Sequence, residues 1–140
     1  MAQLMEQSAG LGGVVQFDCK RVVDVFLATP VGKIDHPNAE WLKLSLAPVL
    51  DAAAQGNCAV VLDFSRVDYI SSMGLRVLLL AAKQLRAANA RIAVAALQPA
   101  TEEIFAIARF NHVLEIFPDV RAALAQISAA ALAAFDAESK

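Results

Sequence analysis

The sequence predicts an α/β domain: a mixed sheet of four to five strands, parallel at its centre and packed by about four helices. Three observations carry this. The run Ala59 to Leu62 is wholly apolar and rich in β-branched residues, as a parallel strand buried on both faces should be. From there to the C-terminus, strand-like and helix-like patterns alternate, the order that lays parallel strands side by side beneath helices. The first two apolar runs are separated only by Asp18-Cys19-Lys20-Arg21, a spacing that suits an antiparallel hairpin and makes the sheet mixed.

Composition bounds the rest. A chain of 140 residues is one domain by length, with enough material for a real core. Its hydrophobic fraction of 58% is swollen by alanine, which favours helices. The net charge is −2 and no basic patch stands out, so nucleic acid is not the expected partner. Met1 to Gly10 lacks the basic-then-apolar layout of a signal peptide, and the densest apolar segment, Val77 to Ala82, is far short of a membrane span. No membrane insertion and a cytoplasmic location are expected. Cys19 and Cys58 stand alone, without a CxxC or a neighbouring histidine, and read as reduced apolar residues.

Taken in order, residues 1–13 are polar and Gly-bearing and read as a flexible leader to a single domain over 14–136. Val14–Phe17 and Val22–Leu27 are the hairpin strands, with Pro30 and Gly32 punctuating the exit. A helix should begin between Asp35 and Asn38, with Pro37 in its first turn and Trp41, Leu42, Leu46, Val49 and Ala53 as its apolar stripe. Either Asp35 or Glu40 suits its capping, and a partner contact is the competing role. Pro48 predicts a kink or break, since an interior proline costs roughly 3 kcal/mol; Gly56-Asn57 should end the segment.

After strand Ala59–Asp63 comes a polar connection, then a helix from about Ser72 to Ala88. Leu75, Leu78, Leu79, Ala82 and Leu85 form its apolar face, and Arg76, Lys83 and Arg86 its polar stripe. Arg91–Ala96 is the next strand. A short helix over Thr101–Arg109 follows, with Glu102 and Glu103 in its first turn and Asn111 as its C-terminal turn. Val113–Ile116 reads as an edge strand. Pro118 opens a final helix over 118–136, with Val120, Leu124, Ile127, Ala131 and Phe135 on one face.

The chemistry concentrates where the buried strand gives way to the Ser72 helix. Ser71 or Ser72 stands at a helix N-cap, where a hydroxyl accepts bonds from otherwise unpaired N–H groups. A serine there is fixed in position yet reachable. Gly74 is costly inside a helix, and either close approach by a partner or tight packing on the sheet accounts for it. A hydrolase built from Ser72, His36 and Asp63 is disfavoured, because Ile70-Ser71-Ser72-Met73-Gly74 lacks the glycine two before the serine that a nucleophile elbow uses. His36 and His112 are single. No phosphate loop, dinucleotide motif or metal-ligand spacing is present, so no enzyme activity, cofactor or metal is expected.

At these residues the chain resembles the STAS domain, the fold of bacterial anti-sigma-factor antagonists. Asp63-Phe64-Ser65 … Tyr69-Ile70-Ser71-Ser72-Met73-Gly74-Leu75 is similar to its signature D-L-S-x-V-x-F-M-D-S-S-G-L. Gly32-Lys33-Ile34-Asp35-His36 … Ala39-Glu40 … Leu42 resembles its G-x-L-D-x-x-x-A-x-x-L. The likeness runs from about Val14 to Leu124. It departs at Ser71, where the family has Asp, and at Met73, where it has Ser. Alignment on Gly74 places the family's phosphoacceptor at Ser72, with Ser71 as the alternative.

The resemblance implies a binding protein that is switched by phosphorylation. Its partners would be a serine-kinase anti-sigma factor, held at Asp35, His36, Ser71, Ser72, Met73, Gly74 and Arg76, and a serine phosphatase. The rival reading is an unphosphorylated STAS scaffold in a sensor or transporter accessory complex.

Overall fold

The computed structural model describes residues 16–138, so the leader over 1–13 and the start of the first expected strand, Val14 and Val15, lie outside the described residues. Strands β1 (Gln16–Val22) and β2 (Val25–Ile34) form the antiparallel hairpin. Helix α1 (His36–Gly56), strands β3 (Ala59–Asp63) and β4 (Val67–Ile70), and helix α2 (Ser72–Ala87) follow. Then come β5 (Ile92–Ala95), α3 (Pro99–Ile107), a 3-10 turn (Phe110–His112) and β6 (Glu115–Phe117). Helices α4 (Val120–Ile127) and α5 (Ala129–Glu138) close the chain.

The sheet order is β1-β2-β3-β5-β6, with β4 added to β2 beyond the end of β3; every pairing after the hairpin is parallel. Ala59–Leu62 is buried throughout, as its unbroken apolar run requires. Val60 and Leu62 pack with Leu42, Leu46, Leu78 and Leu85 of α1 and α2. Ala59 and Val61 pack with Val120, Ala123, Leu124 and Ala131 of α4 and α5 on the other face.

Several expectations are corrected. The hairpin turns at Val23-Asp24, not at Asp18–Arg21, which lies inside β1. One local and two tertiary hydrogen bonds hold it there. Arg21 Nε donates to the Val23 carbonyl at 2.9 Å, Ala59 N–H donates to the Asp24 carbonyl at 3.1 Å, and Ser128 Oγ donates to Asp24 Oδ1 at 2.6 Å. They offset the cost of the β-branched Val23 at φ 56°.

Strand β2 does not exit at Pro30 and Gly32 but runs on to Ile34. Its pairing with β3 ends at Ala28 and its pairing with β4 begins at Gly32. By the alternation of backbone groups, Pro30 turns its missing N–H toward the gap between those partners. The segment Val67–Ile70, expected as a polar connection, is thereby a strand, and the sheet has six strands rather than four to five.

Helix α1 continues through Pro48. Pro48 is exposed, so water can reach the carbonyl it leaves unbonded, while Leu42, Leu46, Val49 and Ala53 anchor the opposite face. Helix α3 starts two residues early, at Pro99, and its end is turned by Arg109 at φ 58° rather than by Asn111. Val113 and Leu114 bond back to the Phe110 carbonyl, which shifts the edge strand to Glu115–Phe117.

The final helix over 118–136 is two helices. Asp119 rather than Pro118 opens α4, its carboxylate accepting from Ala122 N–H at 2.7 Å. Ser128 is extended (φ −157°, ψ 108°), and its Oγ accepts from Ala131 N–H at 3.1 Å while donating to Asp24. A helix cannot continue through a residue recruited to cap the next one.

Candidate functional site

Two helices start side by side at the C-terminal ends of β2 and β4. The register pairs Ile34 with Ile70, and Ser71 N–H donates to the Ile34 carbonyl at 2.8 Å. One residue further on, Asp35 is the N-cap of α1 and Ser71 the N-cap of α2. Asp35 Oδ1 accepts from Asn38 N–H and Ser71 Oγ from Gly74 N–H, each at 3.2 Å. Buried Asn38 donates through Nδ2 to the Lys33 carbonyl at 2.8 Å, tying the first turn of α1 to the strand it leaves. Ends of neighbouring parallel strands are where α/β sheets commonly present ligand-binding surfaces.

This geometry separates the two serines. Ser71 is half-buried and committed to capping α2; Ser72 is the first helical residue, exposed, with its hydroxyl outside the cap bond. Met73 is 39% exposed beside it, and Arg76, one turn on, is exposed as well. His36 is exposed at the matching first position of α1. Asp35, His36, Ser71, Ser72 and Met73 thus meet at one edge of the sheet.

Gly74 points inward. A Cβ there would stand 2.7 Å from Ile70 Cγ1 and 2.8 Å from Ile34 Cγ2, closer than real Cβ atoms approach. Tight packing on the sheet therefore accounts for this glycine, and its part in the surface is to let α2 seat against β2 and β4. Glu40 is exposed and is not the cap of α1.

Asp63 does not join His36 and Ser72. Its carboxylate accepts from Ser65 N–H at 2.9 Å and shapes the turn after β3. Among the described residues no group of three or more His, Cys, Asp or Glu side chains is placed to hold a metal. Nor is any described helix long and apolar enough to cross a membrane. A cleft of about 340 Å³ lies elsewhere, on the hairpin, lined by Asp18, Cys19, Lys20, Leu27 and Thr29. Both cysteines are free, and burial pushes the Cys19 thiol from 9.0 up to about 11.

Sequence reasoning missed two residues at this edge. Lys33 and Tyr69 are register partners on β2 and β4, both exposed, Tyr69 at 42%. They precede Ile34 and Ile70, which point into the core, so alternation along the strands turns them outward. Each stands in one of the two motifs, Lys33 after Gly32 and Tyr69 before Ile70, but bringing them together needed Val67–Ile70 to be read as a strand.

Comparison with known proteins gives this edge a context. The profile of the STAS domain matches residues 16–123. Over 98 residues the chain is 42% identical to BtrV of Bordetella bronchiseptica, which is named provisionally as an anti-sigma factor antagonist; the match covers 70% of this chain and 79% of BtrV. The chain belongs to the STAS domain family. Solved STAS structures agree on the fold. An anti-sigma factor antagonist from Mycobacterium paratuberculosis superposes with a TM-score of 0.73 at 21% identity, covering 83% of this chain and 96% of that one. The phosphorylated form of the Bacillus cell fate determinant SpoIIAA gives 0.58 at 16% identity, covering 79% and 97%. The family profile ends within α4, so α5 lies beyond it.

Proposed function

We propose that this STAS protein is an anti-sigma-factor antagonist that binds a serine-kinase anti-sigma factor and is switched off by phosphorylation of Ser72. The observation that carries the reading is the division of labour at the start of α2. Ser71 supplies the cap, so the Ser72 hydroxyl stands exposed on a rigid helix end with no structural duty in the cap. Identity to BtrV over most of the chain supports the class of partner. That a Bacillus protein of the same fold has been solved phosphorylated supports the type of switch.

A phosphate adds about −1.5 to −2 charge. At the first turn of α2 that charge meets N–H groups without intrahelical partners and the positive end of the helix dipole. Arg76 lies one turn away, on the same side of α2. The fold therefore tolerates the modification, and its effect falls on the partner. An interface formed around a neutral hydroxyl must accept a bulky anion, and desolvation and repulsion drive release. A serine phosphatase restores the binding form.

Titration of the purified chain against its cognate anti-sigma factor tests this. Ser72→Ala should bind as the wild type does, Ser72→Asp more weakly, and phosphoserine at 72 most weakly, since a carboxylate carries less charge and a smaller acceptor group. Equal affinity across all four forms would defeat the proposal.

A further inference from the structure

Helices α1 and α2 lie side by side, joined at their far ends by Gln84 Nε2 donating to Asp51 Oδ1 at 2.9 Å. Leu80 precedes Gln84 by four residues and Leu44 precedes Asp51 by seven, so each leucine shares a helix face with its partner in that bond. Both lie nearer the Ser72 end. Leu80 is 45% exposed and Leu44 55%. Six large apolar side chains are exposed among the described residues; Tyr69, Met73, Leu80 and Leu44 belong to this edge and its two helices, whereas Val23 and Ile107 lie on other elements. Single exposed leucines are ordinary, but a cluster on one surface marks a contact region.

Charge on the α2 part of this surface is one-sided. Helix α2 carries Arg76, Lys83 and Arg86 and no acid, in a chain of net charge −2. Arg86 is occupied, its guanidinium donating to the Val113 carbonyl at 3.3 Å. Arg76 and Lys83 are exposed and fall on the ridge headed by Ser72, with Leu80 between them. On α1, Lys43 is exposed, Glu40 is the acid near the Ser72 end, and Asp51 is taken by Gln84.

We infer that the recognition surface extends from Ser72 along the exposed face of α2 to Lys83, with Leu44 of α1 beside it. It takes a protein partner that presents acidic side chains around an apolar strip. Apolar anchors supply contact area, and the unpaired cations select partners by sign and speed encounter. The inference rests on the antagonist reading, because the partner is that reading's anti-sigma factor. It also gives the switch a second lever. Phosphate on Ser72 places an anion at the head of a cationic ridge, where it opposes the partner's acids and competes for Arg76.

The test is calorimetric titration of the purified anti-sigma factor into wild type, Leu80→Asp, Leu44→Asp, Lys83→Glu and Ile107→Asp. Circular dichroism confirms that each variant is folded. Leu80→Asp should weaken binding at least tenfold and Leu44→Asp severalfold. Lys83→Glu should weaken it severalfold and flatten its salt dependence, while Ile107→Asp, on α3, should change nothing. If Leu80→Asp and Lys83→Glu bind as wild type while phosphoserine at 72 still blocks binding, the extended surface is wrong and the antagonist reading stands. If the wild type binds no anti-sigma factor, both fall. Self-association abolished by Leu80→Asp, or flotation on anionic vesicles abolished by Lys83→Glu, would assign this face to another occupant and overturn the inference.

Discussion

Gly74→Ala tests the packing that fixes the candidate site. A methyl group at 74 would meet Ile70 Cγ1 at 2.7 Å and Ile34 Cγ2 at 2.8 Å. Both isoleucines are at most 1% exposed, and one offending atom is a branch methyl near its own backbone, so neither yields cheaply. Overpacking of this kind costs about 1–3 kcal/mol. Replacing glycine in a helix returns at most about 1 kcal/mol, and less at a first-turn position. The net expectation is a loss of about 1–2 kcal/mol. For a urea slope of about 1–3 kcal/mol/M, the midpoint should fall by several tenths of a molar or more with the slope unchanged. Gly74 N–H is also the donor to Ser71 Oγ and Leu75 N–H donates to the Ser71 carbonyl, so the displaced helix end should lose protection from hydrogen exchange at residues 74 and 75. A midpoint equal to or above wild type would refute the reasoning. It would show that the glycine answers to something outside the sheet, such as a partner's backbone.

Three further outcomes follow from the same structure. Ser71→Ala should cost about 0.5–2 kcal/mol and Ser71→Asp little, whereas Ser72→Ala should leave stability within about 0.5 kcal/mol, read from urea midpoints. Ser128→Ala removes both the cap of α5 and the bond to Asp24, so α5 and the Val23-Asp24 turn should exchange early while the rest of residues 16–123 keeps its protection. The Cys19 thiol should alkylate slowly at neutral pH in the folded protein, gaining reactivity only as the pH approaches about 11. Because its folded value is raised above 9.0, its contribution to stability is intact below that pH and is lost as pH rises toward about 11.

Local pattern made the centre of the fold legible and left its contingent joins hidden. Ala59–Leu62 could only be a doubly buried strand, and the helix after Ser72 declared itself by periodicity. Strand β4 was not readable, since its four residues with Asp68 and Tyr69 outward carry no pattern until β2 is known to extend past Pro30. Those two misses are one event, because each segment exists as a strand by pairing with the other. Ser128 and the Val23-Asp24 turn were hidden for the same reason: a bond spanning 104 residues fixes both, and no window of sequence contains it. At the site, local pattern placed either Ser71 or Ser72 at the helix cap, but only the backbone geometry says that it is Ser71.

The measurement that tests the central claim most directly is phosphate incorporation by the cognate kinase, followed by mass spectrometry, for wild type, Ser71→Ala and Ser72→Ala side by side. The account predicts one phosphate on wild type and on Ser71→Ala, and none on Ser72→Ala. Transfer that survives in Ser72→Ala but is lost in Ser71→Ala would move the acceptor into the cap. Transfer to none of the three would contradict the switch and leave an unmodified STAS scaffold as the function.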